Sequence, residues 1–228
     1  MKFLSQVIAS GSGSVGGCTY SRNRYGAYIR NRSVPVNPNT SQQQAVRSIF
    51  ANLNTAWNID LDQAERDAWD AYAAAVPRTD SLGQTTFVTG QNWFVACNTP
   101  RLQNGIARVD AAPTTLNLTE LSVLPAPLVT EPDDVDVSFT NTDEWAGATG
   151  GYLFLYGSRG MNATRNFFKG PFRNFSFVPG AGTPPTSPAT KTMPFALTAG
   201  QKVYLRAIAQ AADGRLSVPQ IVSAIVTS

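Results

Sequence analysis

The chain has 228 residues, 43% of them hydrophobic and 14% charged, with a formal net charge of +3. The charged fraction lies below the roughly 25% of an average soluble domain while the apolar fraction is ordinary, which excludes disorder along the whole length and predicts one or two domains with cores of their own. There is no histidine and there are only two cysteines. His-activated nucleophiles, His general bases and His metal ligands are therefore excluded, and an all-Cys zinc site lacks ligands.

At the N-terminus Lys2 precedes Phe3-Leu4, but Ser5 and Gln6 break the apolar run, so no signal peptide is expected. No stretch approaches the ~18 apolar residues of a membrane span. The expectation is synthesis in a cytoplasm with Cys18 and Cys97 as reduced thiols. Residues 10–17 are rich in Gly and Ser and contain Gly11-x-Gly13-x-x-Gly16. That spacing binds dinucleotides only between a strand and a helix, and Cys18 to Arg22 reads as a strand. Residues 18–46 also lack the lysine of a kinase-type loop.

Residues 1–59 carry six basic groups and no acid, residues 60–134 eleven acids and four arginines, and residues 135–228 eight basic groups and four acids. Residues 1–36 read as an extended arm or hairpin whose Tyr20, Arg22, Arg24, Tyr25, Tyr28, Arg30 and Arg32 are the candidate partner-binding residues. Tyr20, Arg22 and Arg24 alternate along one strand, and Tyr28, Arg30 and Arg32 along the next, with Gly26 at a turn or bulge. Such a ribbon suits phosphates and base stacking. Arg and Tyr also mark protein interfaces, and a protein surface is the favoured partner.

Residues 37–108 read as a helical region. Thr40 with Gln43 predicts a capping box opening a helix over 41–58, with Val46, Ile49, Phe50, Leu53 and Trp57 as its apolar stripe. A second helix over 61–76 opens near Asp60 and ends at Pro77. With so short a connection the two predict an antiparallel hairpin seamed by Trp57 and Trp69. Glu65, Asp67 and Asp70 face no second acid and read as solvated. A third helix follows Thr89-Gly90, passes Trp93, Phe94 and Cys97, and stops at Gly105 with a bend at Pro100. Residues 109–127 read as a linker with an extended segment around 115–123.

From 128 to 228 the period changes to two. Strands are predicted at Val135–Phe139, Tyr152–Tyr156, Phe172–Phe177, Phe195–Leu197, Val203–Ala209 and Ile221–Val226, with the Thr/Pro stretch 182–192 as a solvated loop. The fold class is thus α+β in two parts: an N-terminal arm and three-helix region, then an all-β sandwich. No carboxylate pair, Lys or Tyr sits in a catalytic constellation, so no catalytic, cofactor-binding or metal-binding residues are assigned, no cofactor is expected, and the chain is read as not an enzyme.

Leu197, Tyr204, Arg206, Gly214, Ser217 and Pro219 resemble the end of a fibronectin type III domain, which implies an immunoglobulin-like sandwich with Tyr204 in the place of the tyrosine corner. A second resemblance runs along most of the chain. Gly16-Gly17-x-Thr19-Tyr20-Ser21-Arg22-Asn23-Arg24-x-Gly26-x-Tyr28-x-Arg30, Asn37-Pro38-x-Thr40-x-Gln42-Gln43-x-x-Val46-Arg47, Trp57, Ala68-Trp69-x-x-Tyr72, Gly90, Asn92 and Asn98 are similar to a family of structural proteins of tailed bacteriophages. So are Thr142 to Trp145, Phe168-Lys169-Gly170-Pro171 and Thr183 to Thr190. The resemblance implies a virion component made in the bacterial cytoplasm. Its partners would be capsid or tail subunits and copies of itself, with nucleic acid less favoured and no membrane. Head decoration is the leading expectation. A tail, neck or carbohydrate-adhering role is the alternative, marked by exposed Trp145, Tyr156, Phe167 and Phe168.

Overall fold

The computed structural model describes residues 13–24, 26–33, 36–79 and 84–228. Two compact units divide the chain, one comprising residues 1–44 and 79–86, the other residues 45–78 and 87–228. In chain order the elements are β1 (Gly13–Val15), β2 (Cys18–Asn23), β3 (Gly26–Asn31), α1 (Ser41–Ile59), α2 (Gln63–Ala75), the two-residue strands β4 (Arg78–Thr79) and β5 (Thr85–Thr86), and α3 (Gly90–Gln103). There follow β6 (Leu128–Thr130), β7 (Asp134–Val137), β8 (Tyr152–Gly157), β9 (Arg173–Pro179), β10 (Ala189–Thr192), β11 (Lys202–Gln210) and β12 (Gln220–Thr227). The chain is a mixed α+β protein with a β-rich C-terminal part.

The helices begin where side chains satisfy the free amides of a first turn. Thr40 Oγ1 accepts from Gln43 N at 3.3 Å. Asp62, two residues past the expected start, caps α2 by a reciprocal box: Glu65 N donates to Asp62 Oδ1 at 2.8 Å and Asp62 N to Glu65 Oε2 at 3.0 Å. Thr89 Oγ1 accepts from Asn92 N at the head of α3.

The close helix pair is α2 against α3, not α1 against α2. Gly90 makes it possible: a Cβ there would lie 2.6 Å from the backbone N of Asp70, and Gly90 N donates to Asp70 Oδ1 at 2.8 Å. Trp57 and Trp69 do not meet each other along a seam; each packs on Phe94 of α3, at 5.7 and 5.6 Å between ring centroids. Tyr72 meets Trp93 edge-on. Of the predicted α1 stripe only Leu53 and Trp57 are buried, while Val46 and Phe50 are exposed.

The C-terminal strands form one sheet in the order β10-β7-β6-β12-β11-β8-β9. Its two end strands approach each other, so the sheet curls nearly closed. All neighbours are antiparallel except β12 and β6, which run parallel through Val226↔Val129 and Thr227↔Thr130. Alternation sends Val129, Val135, Val137, Leu153, Leu155, Val203, Leu205, Ala207 and Ala209 into one core with Trp145, which lies edge-on to Phe139 at 5.1 Å.

Three sequence expectations change here. Phe195–Leu197 is not a strand, although Leu197 is buried. The strand is Ala189–Thr192, inside the stretch read as a loop, and it pairs with β7 by Thr190↔Asp136 and Thr192↔Asp134. Its polar sequence lacks the apolar alternation of a strand because it ends the sheet. The hydroxyl of Tyr204 donates to Arg165 O at 2.6 Å, 39 residues upstream, rather than to the nearby carbonyl of a tyrosine corner.

Residues 109–127, expected as a linker, pack as a strap. Trp69 Nε1 donates to Asp110 O and Tyr72 Oη to Asn117 O. Asn98 grips Val109 twice, donating from Nδ2 to its carbonyl at 2.9 Å and accepting its amide at 2.7 Å. Further on, Leu124 N donates to Gln220 Oε1, and Gln220 Nε2 to the carbonyls of Leu121 and Ser122. Ile208 of β11 and Leu216 complete the helical core from the sheet's outer face, so the helices and the sheet are one body.

Candidate partner-binding surface

The candidate residues lie on the three-stranded sheet β1-β2-β3. Gly16, at φ 57°, turns β1 into β2, so the glycine spacing of residues 11–16 leads into a strand and not into a helix. Registers Thr19↔Arg30, Tyr20↔Ile29, Ser21↔Tyr28 and Arg22↔Ala27 join β2 and β3. Arg32 N donates to Gly17 O and extends the ladder.

Directly opposed residues share a face, and this divides the candidates. Tyr20 and Arg22 lie with Val15, Cys18, Ala27 and Ile29. Tyr28, Arg30 and Arg32 lie on the other face with Ser14, Thr19 and Ser21, where Ser14 Oγ and Thr19 Oγ1 are 2.8 Å apart. The two alternating runs seen in the sequence thus look in opposite directions. Among the described residues each face carries one tyrosine, and neither face gathers all the cations. Arg22, Arg24, Arg30 and Arg32 are exposed, and Tyr20 and Tyr28 half-buried; Tyr25 lies outside the described residues.

Of the four aromatics named for the alternative role, Trp145 is fully buried, Tyr156 half-buried against the helical core, Phe168 half-buried and stacked on Tyr204, and Phe167 exposed. Burial pushes the Tyr156 phenol up to about 12, with the Arg206 guanidinium over its ring pulling the other way. Cys18 and Cys97 are free thiols. Among the described residues no group of three or more Cys, Asp or Glu is placed to hold a metal ion, and no helix is long and apolar enough to cross a membrane.

Sequence reasoning passed over a second feature. Between β8 and β9 a notch of about 190 Å³ is lined by Arg159, Met161, Phe168, Pro171 and Arg173. The signal was present as a run of residues, 145–212, with seven bases and no acid.

No protein-family model and no curated protein matches the chain. Among solved structures, a β-1,2-glucanase from Parabacteroides distasonis is similar over 51% of this chain at 20% identity, with a TM-score of 0.25. The chain spans 14% of that protein's length.

Proposed function

We propose that the protein is a non-enzymatic structural component of a bacteriophage virion, a capsid-decoration or head-associated protein. Its N-terminal hairpin holds a repeated lattice and its body displays an immunoglobulin-like β-sandwich. The observation that carries this reading is the sheet β1-β2-β3, which belongs to one of the two compact units and carries Arg22, Arg24, Arg30 and Arg32 exposed. On a lattice of repeated subunits a modest contact per copy suffices, because avidity multiplies it. The strand order supports the sandwich reading: β10-β7-β6 on one side and β12-β11-β8-β9 on the other is the arrangement of fibronectin-like domains. The sequence resemblance to tailed-phage structural proteins points the same way.

The tail, neck or carbohydrate-adhering alternative was marked by four exposed aromatics; of these Phe167 is exposed, Tyr156 and Phe168 are half-buried, and Trp145 is buried. Nucleic-acid binding is disfavoured because, among the described residues, the Tyr/Arg side chains split between two faces instead of lining one stacking platform.

The test is co-sedimentation of the purified protein with empty phage heads, isolated tails and free DNA. The full chain is expected to saturate heads at a fixed ratio to the capsid subunit. A variant with Arg22, Arg24, Arg30 and Arg32 changed to Ala, and a truncation lacking residues 1–36, are expected to lose that binding while the body keeps its melting temperature. Undiminished binding by the folded variants refutes the hairpin anchor. Binding only to tails, or salt-sensitive binding only to DNA, selects the alternatives.

A further inference from the structure

The charges of the body are segregated. Residues 109–144 carry eight acids and no base, and residues 145–212 seven bases and no acid. Some acids are spent internally: Asp110 pairs with Arg108, Glu144 with Arg215, and Asp143 accepts from Ser122. Among the described residues, none of the seven bases and none of Glu131, Asp133, Asp134 and Asp136 makes an ion pair.

The unpaired acids lie on β7 and in the β6–β7 turn, whereas Arg159 follows β8 and Arg173 opens β9; another of the bases, Lys191, lies on β10 opposite Val135 of β7. Val135 and Val137 point into the core, so Asp134 and Asp136 point outward, accepting from Thr192 and Thr190 of β10. Asp133 and Glu131, whose carboxylate accepts from Ala199 N, occupy the adjoining turn between β6 and β7. The notch in the β8–β9 connection is lined by exposed Arg159 and Arg173 together with Met161, Pro171 and the Phe168 ring. Phe168 is already stacked on Tyr204 and approached by the Arg165 guanidinium at 5.5 Å. Its ring is taken up within the chain and makes a poor platform for a base or sugar. What remains is a notch of about 190 Å³ whose lining joins two arginines to apolar side chains, too small for a drug-sized ligand and suited to a carboxylate on a short aliphatic stem.

We propose that this notch receives the acidic β6–β7 turn of a second copy of the chain. Donor and acceptor patches differ, so the contact is heterologous and runs head to tail, closing as a ring or growing as a filament according to the rotation per step. Charge complementarity within one sequence is what selects a second copy as the occupant. The proposal does not rest on the virion reading, and its test needs only the purified chain.

The test is sedimentation velocity of the full chain across protein concentration. At about 10 mM salt, where charges are felt over about 30 Å, wild type is expected to form a concentration-dependent series above the monomer; at about 1 M, where the range is about 3 Å, it is expected to dissociate. Arg159→Gln/Arg173→Gln and Asp133→Asn/Asp134→Asn/Asp136→Asn are each expected to stay monomeric. The new amides keep acceptor oxygens for Thr190 and Thr192. Mixed in equal amounts, the two variants are expected to form a dimer that grows no further, since each retains one patch. Should the triple variant melt early, Asp133→Asn alone, whose carboxylate makes no hydrogen bond among the described residues, is expected to move assembly to higher protein concentration. A wild type that stays monomeric at low salt, assembly indifferent to both variants, or a mixture that remains monomeric overturns the proposal.

Discussion

Gln210 has no exposed surface, yet every polar group of its side chain is met. Nε2 donates to Cys97 O at 2.7 Å and Gly214 O at 2.9 Å, and Oε1 accepts from Arg101 Nη1 at 3.1 Å. Arg101 also donates from Nε to Ala107 O, and burial lowers its affinity for the proton. The neighbouring Cys97 thiol is pushed up to about 12, chiefly by burial, with the Arg78 guanidinium opposing. Below the ordinary thiol range of about 8.5 the folded and unfolded chains hold the same proton. Above it the unfolded chain ionises and the folded chain does not, so stability falls as pH rises toward about 12. Tyr156 and Tyr72, both raised by burial, add to the fall at its upper end. Urea unfolding between about pH 8 and pH 11 is therefore expected to show a falling midpoint, and Cys97→Ala to flatten the lower part of that fall. An equal slope in both proteins would remove Cys97 as the cause.

Among the elements, the crossing of α2 and α3 depends on an absent atom. Gly90→Ala puts a methyl group against Asp70 backbone that cannot swing aside. The expected loss is about 1–3 kcal/mol, as for other overpacked sites, read from urea unfolding; a change within experimental error would mean that the helices slide apart freely. The helices were legible because caps and stops are written in residue types: Thr40, Thr89 and the proline after α2; the cap of α2 at Asp62 was misplaced by two residues. The partners of α1 were not legible. Its 3.6-residue stripe announces an apolar face but does not say how far along the helix a partner extends, and here cover ends around Ile49, which is half-buried. The strap was invisible for another reason. It is tied through its own amides and carbonyls to Asn98, Trp69, Tyr72 and Gln220, and main-chain groups are the same in every residue. The Tyr/Arg hairpin was legible as strands and a turn, but its two faces depend on cross-strand register, which composition does not encode.

For the whole molecule, the shared core predicts how it comes apart. Ile208 and Leu216 belong to the helical cluster as fully as Trp93 or Phe94, and Arg215, 6% exposed, joins Asn117 of the strap to Asp213 and Glu144. Helical and β signals are therefore expected to be lost in one transition when followed by far-ultraviolet and tryptophan signals together. Two separate midpoints would contradict a common core. Charge segregation is likewise a property of the whole, and net charge hides it: a total of +3 describes neither the acidic turn nor the cationic notch.

The Gln210 node also has a meaning for synthesis. Its links to Arg101 and Cys97 span 109 and 113 residues. The helices leave the ribosome roughly a hundred residues before β11 and Leu216 exist, at about 5–20 residues per second. For those seconds Trp93, Phe94 and the Asn98 clasp face water with one wall missing. Helices normally close their contacts locally and fast; these must wait for distant strands, as slow folders of high contact order do. A nascent chain halted before residue 202 would display that unfinished aromatic cluster, which makes the helical half, rather than the strand-rich half, the part of the newborn protein most in need of a chaperone.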